Sequence, residues 1–88
     1  MRLLDLLGRR WALRIVWELR EEAATFRMLR ERCEEISPSV LNTRLAELRE
    51  AGVIGMADDG GYSLTPEGRA LLPALKSLDA WARAHLAG

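Results

Sequence analysis

Apolar positions recur at helical spacing along most of this chain and switch to strict alternation in one short stretch. The clearest helical segment is SPSVLNTRLAELREAGVI, Ser37 to Ile54. Ser37 suits the N-cap, where its oxygen can accept from a free backbone N–H, and Pro38 at the first helical position has no N–H to leave unpaired. Leu41, Leu45 and Leu48 follow at i, i+4, i+7 as a narrow stripe, and Gly52 supplies the stop. At about 100° per residue, Ser39, Thr43, Ala46 and Glu50 point away from that stripe, with Val40 and Asn42 flanking this outer face. Short hydrogen-bonding side chains in the first turns leave room for close approach to another surface. A plain amphipathic surface helix would also fit this stretch taken alone.

The other segments frame this one. Leu3, Leu4, Leu6 and Leu7 make a short apolar helix ended by Gly8, and a second helix runs from Trp11 to about Arg20 with only Arg14 and Glu18 clearly polar. A helix apolar nearly all round needs cover on more than one face. In a small domain that cover comes from a second subunit, from the C-terminal helix of the same chain, or from both. Glu21 to Ala24 read as a polar turn, Thr25 as the next N-cap, and Phe26, Leu29 and Cys33 as one face of a short helix. A tight turn through Glu35-Ile36 then enters the Ser37 helix, and the pair reads as a helix-turn-helix over about residues 25–52.

After Gly52 the period is two. A three-residue loop Asp58-Asp59-Gly60, with Gly60 left-handed, pairs Met56 with Tyr62 and Ile54 with Leu64, which puts both apolar sets on one face. A hairpin in that place, residues 53–65, is a wing. Thr65-Pro66-Glu67 opens a final helix whose broad apolar side includes Leu71, Leu72, Leu75, Leu78, Trp81 and Leu86; Pro73 should bend it near Arg69. The predicted fold class is mainly α with a small β-hairpin (α+β), a winged helix-turn-helix with an added C-terminal dimerisation helix. It forms one domain over residues 1–88, with terminal helices 3–20 and 66–86.

Composition narrows the function. With 49% hydrophobic residues the chain is globular. It has no membrane-length apolar run or signal-peptide pattern, so the reading is a cytoplasmic, nucleoid-associated protein with no membrane partner. One cysteine excludes an internal disulfide and a cysteine-rich zinc site. Formal net charge is zero, which weighs mildly against nucleic acid; yet residues 1–20 carry +3 and residues 53–68 carry −3, so folding can gather arginines on one side. No nucleophile–base set, phosphate-cradling loop or paired carboxylate is present, so the expectation is no enzyme, no cofactor and no metal. Cys33, on the Phe26–Leu29 stripe, reads as a buried, inert thiol rather than a redox switch. His85 suits a helix C-terminus as a cation, and Trp11, Trp17 and Trp81 lie in apolar helices as core or dimer contacts.

Three motifs, LLGRRW (Leu6 to Trp11), ISPSVLNTRLAELREAGVI (Ile36 to Ile54) and YSLTPEGRALLPAL (Tyr62 to Leu75), occur in an order and spacing that resemble the HxlR-type winged helix-turn-helix transcriptional regulators of prokaryotes. The resemblance implies a homodimer joined through the terminal helices, with the Ser37 helix in the major groove of double-stranded DNA and the hairpin near the minor groove or backbone. Two features depart from it. Many members carry a sensing cysteine before the first helix, where this sequence has none, and the family wing is longer and more basic than Asp58-Asp59-Gly60-Gly61. The candidate DNA contacts are Ser39, Asn42 and Thr43 at base edges, and Ser37, Arg44, Arg9 and Arg10 at phosphates. For Arg44 a plain ion pair with Glu47 is the open alternative. The candidate dimer contacts are Leu3, Leu7, Trp17, Leu78, Trp81 and Leu86. The sequence names no effector, and a winged helix turned protein-interaction module is the competing reading.

Overall fold

The computed structural model describes residues 5, 6 and 8–86. Its elements are α1 (Ala12–Glu18), α2 (Phe26–Arg32), α3 (Pro38–Glu50), β1 (Ile54–Met56), β2 (Tyr62–Leu64), α4 (Pro66–Arg69) and α5 (Leu72–His85). Leu3 and Leu7, two of the candidate dimer contacts, lie outside the described residues.

The core collects one apolar side from each element. Ile15, Val16 and Leu19 of the α1 segment meet Leu29, Cys33 and Ile36 around α2, the three leucines of α3, and Val53, Ile54, Tyr62 and Leu64 of the hairpin. Each of the eight largest fully buried side chains is aliphatic or Cys33. Among the described residues no buried side-chain polar atom lacks a hydrogen-bond partner, so close packing carries no desolvation penalty there.

Several sequence expectations change in detail. Trp11 lies outside α1, at φ 78°, a left-handed conformation that a bulky residue rarely adopts, so the helix starts one residue later. α1 is covered largely by its own chain: Ala12, Ile15 and Val16 are buried, and the Arg20 guanidinium stacks on Trp17 at 4.1 Å from the ring centroid. The Glu21–Ala24 turn does more than connect. Ala24 exchanges two backbone hydrogen bonds with Tyr62, at 2.9 and 2.7 Å, and gives β2 a partner on its second edge.

The hairpin has the register expected, Ile54 opposite Leu64 and Met56 opposite Tyr62, with Gly60 at φ 85°. The Ala57 N–H donates to the Gly61 carbonyl at 2.7 Å, which closes the three-residue loop, and the Asp59 carboxylate accepts from the Gly61 N–H. The shared apolar face is incomplete, because Met56 at its outer end is 46% exposed.

The final helix breaks rather than bends. Pro73 cannot donate to the Arg69 carbonyl, and α4 ends at Arg69 while α5 begins at Leu72, joined by a Leu71 N–H to Gly68 carbonyl bond of 3.1 Å. Thr65 caps α4, accepting from the Gly68 N–H at 3.0 Å, and its hydroxyl proton faces the Gly52 and Val53 carbonyls. Gly68 packs so closely on Val53 that a Cβ would collide with the Val53 carbonyl oxygen. These contacts fix the wing against the end of α3.

Candidate nucleic-acid interface

α3 is presented as its sequence dictates. The Ser37 hydroxyl oxygen accepts from the Val40 N–H at 3.1 Å, Pro38 occupies the first turn, and Leu41, Leu45 and Leu48 are buried. Burying that stripe turns Ser39, Asn42, Thr43 and Ala46 outward, and all four are exposed. The helix is therefore anchored by one face and bare on the other.

The hydrogen-bond state of each outward group defines what it can offer. Ser37 uses an acceptor lone pair on its own cap and keeps its hydroxyl proton for an outside acceptor such as a phosphate oxygen. Thr43 donates its proton to the Ser39 carbonyl at 3.0 Å, so toward a partner it presents acceptor lone pairs and a methyl group. Asn42 makes no side-chain hydrogen bond among the described residues, and its amide can donate and accept together. That is the pairing an adenine edge requires.

The arginines divide into two groups. Of the two alternatives left open for Arg44, the structure shows the ion pair: Arg44 Nη1 donates to Glu47 Oε1 at 2.7 Å and Nε donates to the Arg10 carbonyl at 2.9 Å. Only 18% of that side chain is exposed. On the helical wheel Arg44 falls beside the Leu48 edge of the buried stripe, some 160° from Asn42 at about 100° per residue. Arg9 also meets Glu47, at 3.1 Å. Arg10 is exposed, its guanidinium 5.7 Å from the Trp11 ring centroid, with no acidic partner among the described residues.

Sequence reasoning missed Arg49. It is exposed, has no acidic partner among the described residues, and lies two turns from Asn42 on nearly the same side of α3. The signal was present in the seven-residue spacing, which matches two helical turns. Arg30 on α2 is likewise exposed and without an acidic partner among the described residues.

A search of family descriptions matches the HxlR-like helix-turn-helix over residues 6–88. The chain belongs to the HxlR-like helix-turn-helix family. Among curated relatives of this HxlR-like protein is YvaP of Bacillus subtilis strain 168, described as an uncharacterised HTH-type transcriptional regulator. It is 33% identical over 84 residues, covering 89% of this chain and 78% of that one. Quinone-bound YodB from B. subtilis superposes with a TM-score of 0.88 at 30% identity, covering 94% of this chain and 92% of that chain. The redox regulator HypR in its reduced form gives 0.83 at 25% identity, over 93% and 87% of the two chains. These matches bear out the winged helix-turn-helix fold and a transcriptional-regulator family rather than an enzyme family.

The remaining candidates are placed as follows. Cys33 is buried, and loss of hydration pushes its thiol pKa up, with nearby Arg14 opposing. His85 stacks on Trp81 with ring centroids 4.7 Å apart, and its Nδ1 lies 2.9 Å from the Trp81 carbonyl oxygen. Trp17 is half-buried and lines a small open cavity of about 230 Å³ with Leu13, Arg14, Leu75 and Asp79. Leu78, Trp81 and Leu86 are 60%, 54% and 69% exposed. Among the described residues no group of His, Cys, Asp and Glu has the arrangement of a metal site, and no helix is long and apolar enough to cross a membrane.

Proposed function

We propose that this chain is a homodimeric transcriptional regulator that binds double-stranded DNA with α3 in the major groove. The observation that carries the reading is the state of α3: three leucines hold one face rigidly, while Asn42, Thr43 and Ser39 stand exposed at its other face. Asn42 pairs with adenine in two directions, and Thr43 accepts from an exocyclic amine or packs its methyl on thymine. Ser37, the N-terminus of α3, Arg10 and Arg49 hold phosphates. With few bidentate readers, part of the specificity comes from DNA shape. The acidic wing tip, Asp58-Asp59, keeps the hairpin loop off the backbone, and the regulator works in the cytoplasm on the nucleoid.

The second half of the proposal concerns assembly. Leu78, Trp81 and Leu86 at the end of α5 stand exposed among the described residues, and their apolar character fits an interface between two copies. Leu3, Leu7 and Trp17 would extend it. Two-fold pairing places two α3 helices at half-sites about one DNA turn apart. YodB was captured with a quinone, which supports a small molecule as the effector class.

Binding to a duplex taken from its own promoter region, measured against salt, tests this reading. A regulator of this kind loses affinity steeply with rising salt and sediments as a dimer. A correctly folded protein that binds no duplex at low salt would transfer the role to protein interaction.

A further inference from the structure

Glu47 is the hub of a small charged assembly behind α3. Its two carboxylate oxygens are taken separately, Oε1 by Arg44 at 2.7 Å and Oε2 by Arg9 at 3.1 Å. Arg44 in turn donates to the Arg10 carbonyl at 2.9 Å, so the bridge ties the middle of α3 to the segment that leads into α1. The carboxylate is only one quarter exposed and Arg44 less, so salt screens their attraction less than it would a surface pair. Arg9 lies in an open cleft of about 700 Å³ whose walls include Asp5 and Glu50 as well as Glu47. Glu47 is the carboxylate that pairs with both guanidiniums, and Asp5 and Glu50 line the cleft beside Arg9.

The geometry points to Glu47 as an internal counter-anion that withholds Arg9 and Arg44 from DNA phosphates and sets the pose of α3 through Arg44. It is a positioning residue; it meets no base itself. Pairing arginines with carboxylates weakens binding to random DNA, and Glu47 engages both Arg9 and Arg44 while offsetting one of their two charges. Specific binding then depends on the α3 side chains and on Arg10 and Arg49, rather than on indiscriminate charge. The inference rests on α3 facing DNA.

Glu47→Gln keeps the shape and the acceptor toward Arg44 while removing the charge. Fluorescence-anisotropy titrations of the full chain against the promoter duplex and a scrambled duplex, at several salt concentrations, read the result. Affinity for the scrambled duplex should rise on the order of tenfold at low salt, and its salt slope should steepen by about one unit as Arg9 reaches a phosphate. Arg9→Ala in the Glu47→Gln background should return both to the starting values. An unchanged slope, or weaker binding with the fold intact, would overturn the inference; a merely structural loss lowers affinity without steepening the slope. If Glu47→Gln does not fold, Arg9→Ala and Arg10→Ala decide alone. The inference expects the first to leave the slope intact and the second to lower it, and equal losses would overturn it. Duplex binding by Glu47→Gln where the unaltered chain shows none supports the inference while showing that the unaltered chain is not itself a DNA-binding regulator. Binding by neither overturns both.

Discussion

α3 and α5 are helices of similar length, 13 and 14 residues, with opposite states of completion. α3 buries its whole leucine stripe within the chain, and the face it shows outward is short and polar. α5 buries no residue fully: Leu72 and Leu75 lean on the core, while Leu78, Trp81 and Leu86 stand in the open. The difference lies in what each apolar face has to pack against. The α3 leucines join one core cluster with residues of α1, α2 and the hairpin, whereas α5, after the break at Pro73, shares an open cavity with α1, lined by Leu75 and Asp79. On the function proposed above, the polar face of one helix meets DNA and the apolar face of the other meets a second copy of the chain.

The sharpest test of the contrast is the same truncation on both helices. Leu45→Ala should lose about 2–5 kcal/mol of stability in urea unfolding, because a fully packed site cannot collapse around the cavity. Leu78→Ala should cost the isolated fold under about 0.5 kcal/mol, as expected for an exposed site. It should instead raise the dimer dissociation constant in sedimentation equilibrium. Equal unfolding losses would show that α5 is as finished as α3.

A smaller effect is expected where the two regions join. Gly68→Ala forces a methyl against the Val53 carbonyl, and the strain should cost roughly 1–3 kcal/mol. It should also loosen the wing, visible as faster amide exchange at Ile54 and Leu64. An unchanged melting curve would mean that α4 shifts freely on the hairpin.

The smallest effect sits inside the finished side. Burial raises the Cys33 pKa in the folded chain, so the unfolded chain loses its thiol proton first. Stability should hold through neutral pH and fall as pH climbs past the ordinary thiol value of about 8.5, and Cys33→Ala should remove that fall. Thiol reagents should label the folded protein slowly. Fast labelling at neutral pH would contradict the burial.

Much of the fold was legible because local chemistry and tertiary packing agree. Ser37-Pro38, Thr65-Pro66 and the Asp58-Asp59-Gly60 loop each specify a backbone geometry, and each occurs where its residues stand. What escaped were features set by partners distant in sequence. The Ala24–Tyr62 bridge pairs residues 38 apart with no local pattern to mark it. Arg44 could be weighed only against its neighbour Glu47, whereas its second partner, the Arg10 carbonyl, is 34 residues away. Arg49 was hidden for a different reason: a lone arginine near a helix end looks like a solvated face until its lack of an acidic partner is seen. The left-handed Trp11 backbone, three residues after Gly8, was read as ordinary helix because an apolar run continues from it.

Asn42 is the side chain on which the account turns, since it is exposed, unbonded among the described residues, and placed on the side that the leucine stripe turns outward. Asn42→Ala should leave the dimer and its unfolding unchanged and cost roughly 1–3 kcal/mol on the promoter site, with little change on a scrambled duplex at the same salt. Equal affinity of Asn42→Ala and the unaltered chain for the promoter site would contradict the assignment of α3 as the reading helix.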